Sequence, residues 1–508
     1  MDINIQKALI KKGYFPDELG FWFSSNKFAE KCDQLNRNVT LNNKKISKSI
    51  SYSIPKGKFH RRTLGIPNPY NYFFLCQEIH NSWTDIELHL DKSDISLTTP
   101  VFKSGTNRAI SRKYSFEDIS RILVIKSIGA NYVLKTDISR YYSTIYTHSI
   151  PWALHTKQIA KKNRKDELLG NRLDQIIRNS QDGQTIGIPI GPDTSLIISE
   201  IIGVAMDKQL LSDVNYISAF RYVDDYYIFY KEKSEANKTL AKLQSILNEF
   251  QLEQNREKTN IYDMPQSIEP QWVSEINNIA LNNDNIISFI NIIYSLISKN
   301  PNEEVLKYAL NKLKKINVNK KNWILVQSFI LNSVLYDSSA LPLACSILSD
   351  YYYKRFGIDN DKILKTATAI IQKALESNSD YEIVWSLWLT YLFRVKLADD
   401  MILKICSIEN PIIALILLFL YPKEKLDTSK WEELMIAENL YSEYWILAYE
   451  ALVRGWLPSK NGDDYIENDQ FFKKLKSYGI NFFDTNCKDN WVNNNIDEKW
   501  LPVFSAAF

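Results

Sequence analysis

The stretch Phe220-Arg221-Tyr222-Val223-Asp224-Asp225-Tyr226-Tyr227-Ile228-Phe229-Tyr230 decides the fold of the first half of the chain. Aromatic and β-branched residues, which favour strands, flank two adjacent aspartates on both sides. The pattern predicts a β-hairpin with the acids at its turn. Carboxylates held between apolar strands are costly unless a cation neutralises them. Magnesium suits clustered carboxylate oxygens that lie beside phosphates. A solvated Asp-Asp turn would fit the same residues, so a further acidic element is needed to choose.

Tyr132-Val133-Leu134-Lys135-Thr136-Asp137 supplies it, as an apolar strand ending in one aspartate. Two metal ions that share ligands need carboxylates from different elements. Asp137 from one strand and Asp224 and Asp225 from a hairpin meet that need. The cofactor expected is a pair of Mg2+ or Mn2+ ions.

Further out, Gly and Pro cluster at Ile54-Pro55-Lys56-Gly57, Gly65-Ile66-Pro67-Asn68-Pro69 and Gly187-Ile188-Pro189-Ile190-Gly191-Pro192, marking turns. Short β-rich runs alternate with helical patterns such as 236–250. The first 265 residues therefore read as an α+β domain. Around 263–270 the texture changes. Apolar residues then recur at helical spacing over 286–298, 303–317, 323–335, 341–353, 361–376, 382–394, 411–421 and 441–453. That series predicts an irregular all-α array of stacked hairpins.

Composition narrows the class. Hydrophobic residues make up 45% and charged residues 24%, ordinary for a soluble globular protein. The net charge of +3 does not itself announce a nucleic-acid partner. Yet 34–77 holds eight Lys or Arg and no acid, a candidate phosphate-binding stretch. Five cysteines without a CxxC pair suggest neither a disulfide framework nor a zinc site. The longest apolar run, 411–421, is too short to span a bilayer, and the amino terminus lacks a signal-peptide core. The expectation is a cytoplasmic protein without membrane contact.

Taken in order, five motifs resemble those of reverse transcriptases. Tyr222-Val223-Asp224-Asp225 resembles their YxDD motif, and Asp137-Ile138 with Tyr141-Tyr142 their first palm motif. Gly187-Ile188-Pro189-Ile190-Gly191-Pro192 resembles the glycine-bearing motif beneath template and nucleotide. Asn255-Arg256-Glu257-Lys258-Thr259 resembles the later palm motif, and Arg62-Thr63-Leu64-Gly65-Ile66-Pro67 the fingers motif. A narrower likeness lies in Ser143-Thr144-Ile145-Tyr146-Thr147-His148-Ser149-Ile150-Pro151-Trp152. It is similar to the extended first palm motif of abortive-infection (Abi) reverse transcriptases, the AbiK type and its P2-prophage relative.

The resemblance implies a right-hand polymerase, with fingers and palm, followed by a HEAT-like all-α helical array. The divisions expected are 1–110 for the N-terminal segment and fingers, 111–265 for the palm, and 271–508 for the helical domain. It also implies bacterial anti-phage defence, protein-primed untemplated synthesis from dNTPs, a single-stranded DNA product covalently attached to the protein, and a homo-oligomer. In its terms Asp137, Asp224 and Asp225 bind the metals, with the carbonyl of Ile138. Lys258 acts on pyrophosphate as a general acid or counter-charge. Lys56, Lys58, Arg61 and Arg62 grip the triphosphate, Tyr142 is the sugar gate, and Gly191 lies under the nucleotide. Ile190 stands where many relatives carry Gln, which puts strict template handling in doubt. Tyr14 and Tyr52 are candidate priming hydroxyls. A templated RNA-directed DNA polymerase and a non-catalytic palm serving nucleic-acid binding or assembly are the competing readings.

Overall fold

The computed structural model describes residues 4–38, 44–57, 60–103, 105–115, 118–377 and 379–495. Two antiparallel hairpins precede the central sheet: β1 (Ile50–Lys56) with β2 (His60–Ile66), and β3 (Pro100–Phe102) with β4 (Ile110–Arg112). The central sheet comprises β5 (Tyr132–Asp137), β6 (Ser218–Tyr222), β7 (Asp225–Tyr230) and β8 (Asn260–Asp263). Its order is β6-β7-β5-β8, antiparallel throughout.

Strand alternation divides the sheet into two faces. Leu134, Tyr226 and Ile228 point to the main core, which the helices Asp193–Leu211 and Lys233–Glu249 cover. Val133, Phe220 and Phe229 point the other way, into a small second core with Leu97 and Leu123. Asp137 and Asp225 are register partners, as are Lys135 with Tyr227 and Val133 with Phe229. The two acids therefore share the face of the second core.

The hairpin β1–β2 rests against the Gly187–Pro192 loop. The Gly65 amide donates to Ile190 O at 2.9 Å, and a Cβ at 65 would meet Pro189 Cβ at 2.9 Å. Only glycine allows that approach.

Beyond the sheet the helices form two rows. One contains Ile286–Lys299, Lys320–Tyr336, Asn360–Ser377 and Asp399–Cys406. The other contains Val305–Lys314, Leu341–Tyr353, Asp380–Leu392, Pro411–Leu420 and Trp445–Val453. Each helix packs on its neighbour within its row, the arrangement of a solenoid. The array's aromatic residues Trp385, Trp388 and Trp445 are buried in its core.

The amino-terminal segment departs from expectation. Grouped by its sequence position with the fingers, it lodges in the helical array. Trp22 meets Trp388 edge-on at 4.7 Å, and the Trp385 indole donates to Glu18 O at 2.9 Å. The Ser24 amide donates to Phe482 O, and the Asp484 amide to Trp22 O. The reason is apolar content: Phe21, Trp22, Phe23 and Phe28 must be buried, and the array offers the cavity.

Candidate active site

Two turns bring the carboxylates together. Asp137 ends β5, and Asp225 opens β7 opposite it. Tyr222 pairs with Asp225, so Val223 and Asp224 form the two-residue turn between β6 and β7. The Ile138 amide donates to Asp224 O at 3.3 Å, tying the two acidic elements.

Val223 has φ +59°, a left-handed conformation that is an outlier for a β-branched residue. Such backbone strain is on the order of 1–3 kcal/mol and persists only where the surroundings impose it. Here they do. The Val223 amide donates to Thr98 Oγ1 at 3.1 Å, and Arg221 Nη1 donates to Val223 O at 2.8 Å. Arg221 is fully buried, between Glu200 (3.0 Å) and Asp207 (2.8 Å) on the helix Asp193–Leu211. Thr98 in turn donates to Glu200 at 2.6 Å, and the Tyr226 hydroxyl to Asp207 at 2.8 Å. The acidic turn thus hangs from a buried ion-pair network.

The carboxylates are electrostatically frustrated. Burial, then Asp224 and Asp137, push the Asp225 carboxyl up to about 7. Burial and then Asp137 also raise Asp224, against the opposing pull of Lys258 and Arg62. Lys258 Nζ forms an ion pair with Asp137. Against its partial burial, that pair and the charges of Asp225 and Asp224 hold the ammonium above its usual range.

These donors fit divalent cations in kind: three hard oxygen groups, two of them raised in pKa by burial and then by neighbouring carboxylates. Among the described residues no group of three or more His, Cys, Asp or Glu side chains is drawn together closely enough to hold a metal ion. Lys258 Nζ pairs with an Asp137 oxygen instead. An open set is also what magnesium uses where phosphate oxygens complete its shell.

The remaining expected site residues divide. Arg62 and Lys56 are exposed, and their charges reach Asp224 and Asp225 respectively. Arg61 does not join them. Its guanidinium makes a bidentate pair with Glu382 of the helical array, at 2.8 and 2.9 Å, because neighbouring residues on a strand face opposite ways. Lys58 lies outside the described residues.

Tyr142 is half-buried near Asp224, and Ser199 Oγ donates to its hydroxyl at 3.2 Å. Burial raises this phenol to about 12. Gly191 (φ +124°) is covered instead of open: a Cβ there would stand 3.0 Å from Pro16 Cβ, and Arg108 donates to its carbonyl at 2.8 Å.

Both candidate priming tyrosines are buried. The Tyr14 ring stacks on Tyr72 at 4.3 Å, and its hydroxyl donates to Pro67 O at 2.6 Å. Tyr52 is fully enclosed in β1. Burial holds both phenols well above their usual range, so neither is a ready nucleophile in this conformation. His148 and His155 are structural: His148 Nδ1 lies 2.7 Å from Asp174, and His155 Nε2 accepts from the Gly170 amide at 3.2 Å.

Residues 91–280 match the family model described as reverse transcriptase (RNA-dependent DNA polymerase). The chain contains a reverse transcriptase domain. That domain includes the whole sheet β5–β8, the three aspartates and Lys258, while the hairpin β1–β2 precedes the match. No curated protein matches the sequence.

Among solved structures, the chain is similar to a telomerase from Candida albicans in complex with a TWJ fragment of telomeric RNA. That similarity has 13% identity, covers 76% of this chain and 67% of the other, and has a TM-score of 0.31. An apo telomerase from Candida tropicalis is similar at 12% identity, with 77% and 70% covered and a TM-score of 0.33. At those values neither bears on how the present chain works.

Reading the sequence for motifs missed the buried network of the reverse transcriptase domain. Its signal was present. The helix Asp193–Leu211 is apolar on nearly every side, as a buried helix is. Glu200 and Asp207 lie two turns apart on one face of it, and two such acids require a buried cation. Arg221, an arginine inside an apolar strand, is the matching half.

Proposed function

We propose that this chain is a nucleotidyltransferase that joins deoxynucleotides into DNA, a reading supported by Asp137 and Asp225 facing each other across β5 and β7 with Asp224 in the adjoining turn. Asp137, Asp224, Asp225 and the carbonyl of Ile138 would hold two Mg2+ or Mn2+ ions. When bound, the pair supplies charge neutralisation and a lowered pKa for the attacking hydroxyl. Arg62 and Lys56 draw the triphosphate toward the acids. Lys258 keeps a positive charge beside the departing pyrophosphate. The Tyr142 ring excludes a 2′-hydroxyl and selects dNTPs.

The finer reading is synthesis without a template, primed on the protein, by a homo-oligomer in bacterial anti-phage defence. The residues 143–152 support it through their likeness to abortive-infection reverse transcriptases. Ile190 and the cover of Pro16 over Gly191 support restricted template space. A priming hydroxyl would come from a tyrosine other than the enclosed Tyr14 and Tyr52.

The test is incubation with labelled dNTPs and Mg2+, without template or primer, followed by a denaturing gel beside Asp224→Asn. Label that stays with the parent polypeptide and vanishes in the variant is the expected result. Incorporation only when a primer and template are added would replace the untemplated reading with the templated one. No incorporation under either condition would leave a non-catalytic palm.

A further inference from the structure

The sequence placed Arg61 beside Arg62 in one triphosphate grip, and the fold separates them. Arg61 turns toward the helical array and closes a dense junction. Its Nη1 and Nη2 donate to the two carboxylate oxygens of Glu382 at 2.8 and 2.9 Å. Its Nε donates to Ser53 Oγ at 2.7 Å, and Nη2 also donates to Ser53 O at 2.9 Å. The Ser53 amide donates to Asp380 Oδ2 at 3.2 Å, and Ser338 Oγ donates to Glu382 at 2.8 Å. Glu382 is buried, and Asp380 and Glu382 open one rigid helix, Asp380–Leu392.

The Arg61–Glu382 and Ser53–Asp380 bonds cross from the hairpin β1–β2 to the array, while the Arg61–Ser53 bonds brace the hairpin and the Ser338–Glu382 bond braces the array. Bidentate guanidinium–carboxylate pairs fix orientation as well as distance. Arg62 and Lys56 lie on the same hairpin, adjacent to Arg61 and Pro55 in the register. With β2 also resting on Pro189 at Gly65, the hairpin is held from both sides.

We infer that Glu382 and Asp380 of the helical array are positioning residues for nucleotide binding. Through Arg61 and Ser53 they clamp the β1–β2 hairpin so that Arg62 and Lys56 stand ready over the carboxylates. The array is then part of the polymerase site at one remove, and the triphosphate meets a preformed grip. This inference rests on the proposed nucleotidyl transfer. Its chemistry is ordering of the free site, so a broken clamp weakens nucleotide capture and spares the chemical step.

The experiment compares the full-length parent, Glu382→Gln, and the charge swap Arg61→Glu with Glu382→Arg, in Mg2+ with varied dNTP. Glu382→Gln is expected to raise KM for dNTP about five- to tenfold with kcat within about twofold, and the swap to recover most of the loss. Unchanged KM in Glu382→Gln, or a fall in kcat alone, would overturn the inference. If the swap does not fold, Asp380→Asn must reproduce the KM effect, and its failure to do so also overturns it. If the parent makes no DNA under any condition, the polymerase reading fails by itself. Amide exchange over Ile50–Lys56 then decides the clamp: faster exchange in Glu382→Gln supports it, and unchanged exchange refutes it.

Discussion

Gly203→Ala isolates the buried network beneath the acidic turn. Position 203 is the middle of the helix Asp193–Leu211, where alanine should stabilise by about 1 kcal/mol over glycine. A Cβ there, however, would lie 2.7 Å from both Cζ and Nη1 of Arg221 and 2.8 Å from Nη2. The guanidinium has no room to retreat, since it is fully buried and bonded to Glu200, Asp207 and Val223 O. Disrupting a buried ion pair is destabilising by about 3–5 kcal/mol, which exceeds the propensity gain. The net loss is about 2–4 kcal/mol, or a melting temperature lower by roughly 4–8 °C. The Val223 turn loses its anchor with it, so DNA synthesis should fall by more than the unfolded fraction. Differential scanning fluorimetry and labelled-dNTP incorporation on one sample check both parts. A variant that melts as high as the parent with full activity would refute the claim that Arg221 holds the acidic turn.

Tyr142→Ala should admit ribonucleotides, lowering dNTP over rNTP discrimination about 10- to 100-fold in competition assays. Tyr14→Phe should lose about 1 kcal/mol of stability with its bond to Pro67 O, yet leave any labelling of the polypeptide unchanged. His89 donates from Nε2 to Ile201 O at 2.8 Å, while its Nδ1 is buried without a hydrogen-bond partner. Burial lowers this imidazole to about 4, so its contribution is fully present above pH about 6.5 and lost as pH falls toward 4. His89→Gln should flatten the melting-temperature profile across that window, by on the order of 1–3 kcal/mol between its ends.

The helical half was readable because its signal is local. The runs 341–353 and 361–376 carry periodic apolar residues, and helices form at Leu341–Tyr353 and Asn360–Ser377. The acidic hairpin was readable for the same reason, since strand content and turn lie within eleven residues. What escaped depended on distant partners. Arg61 and Arg62 are equivalent in sequence, and only Glu382, 321 residues away, separates their roles. Nothing local marks Tyr14 as buried, since its neighbours Lys11, Lys12 and Asp17 are polar, while Tyr72 and Phe482 enclose it from elsewhere in the chain. Gly191 carried no sign that Pro16 would cover it.

The docking of Trp22, Phe23 and Ser24 against Phe482, Phe483 and Asp484 has a consequence for biosynthesis. These residues are among the first and the last of the described chain to leave the ribosome. Trp22 stays without its final cover until more than four hundred and fifty further residues have been made. The amino-terminal segment therefore cannot finish packing ahead of the array, although nascent domains commonly mature in order. A chain cut short before Phe482 would leave Trp22 and Phe23 without their contact to Phe483. Synthesis through Asp484 is thus itself a checkpoint on when the amino-terminal segment can close.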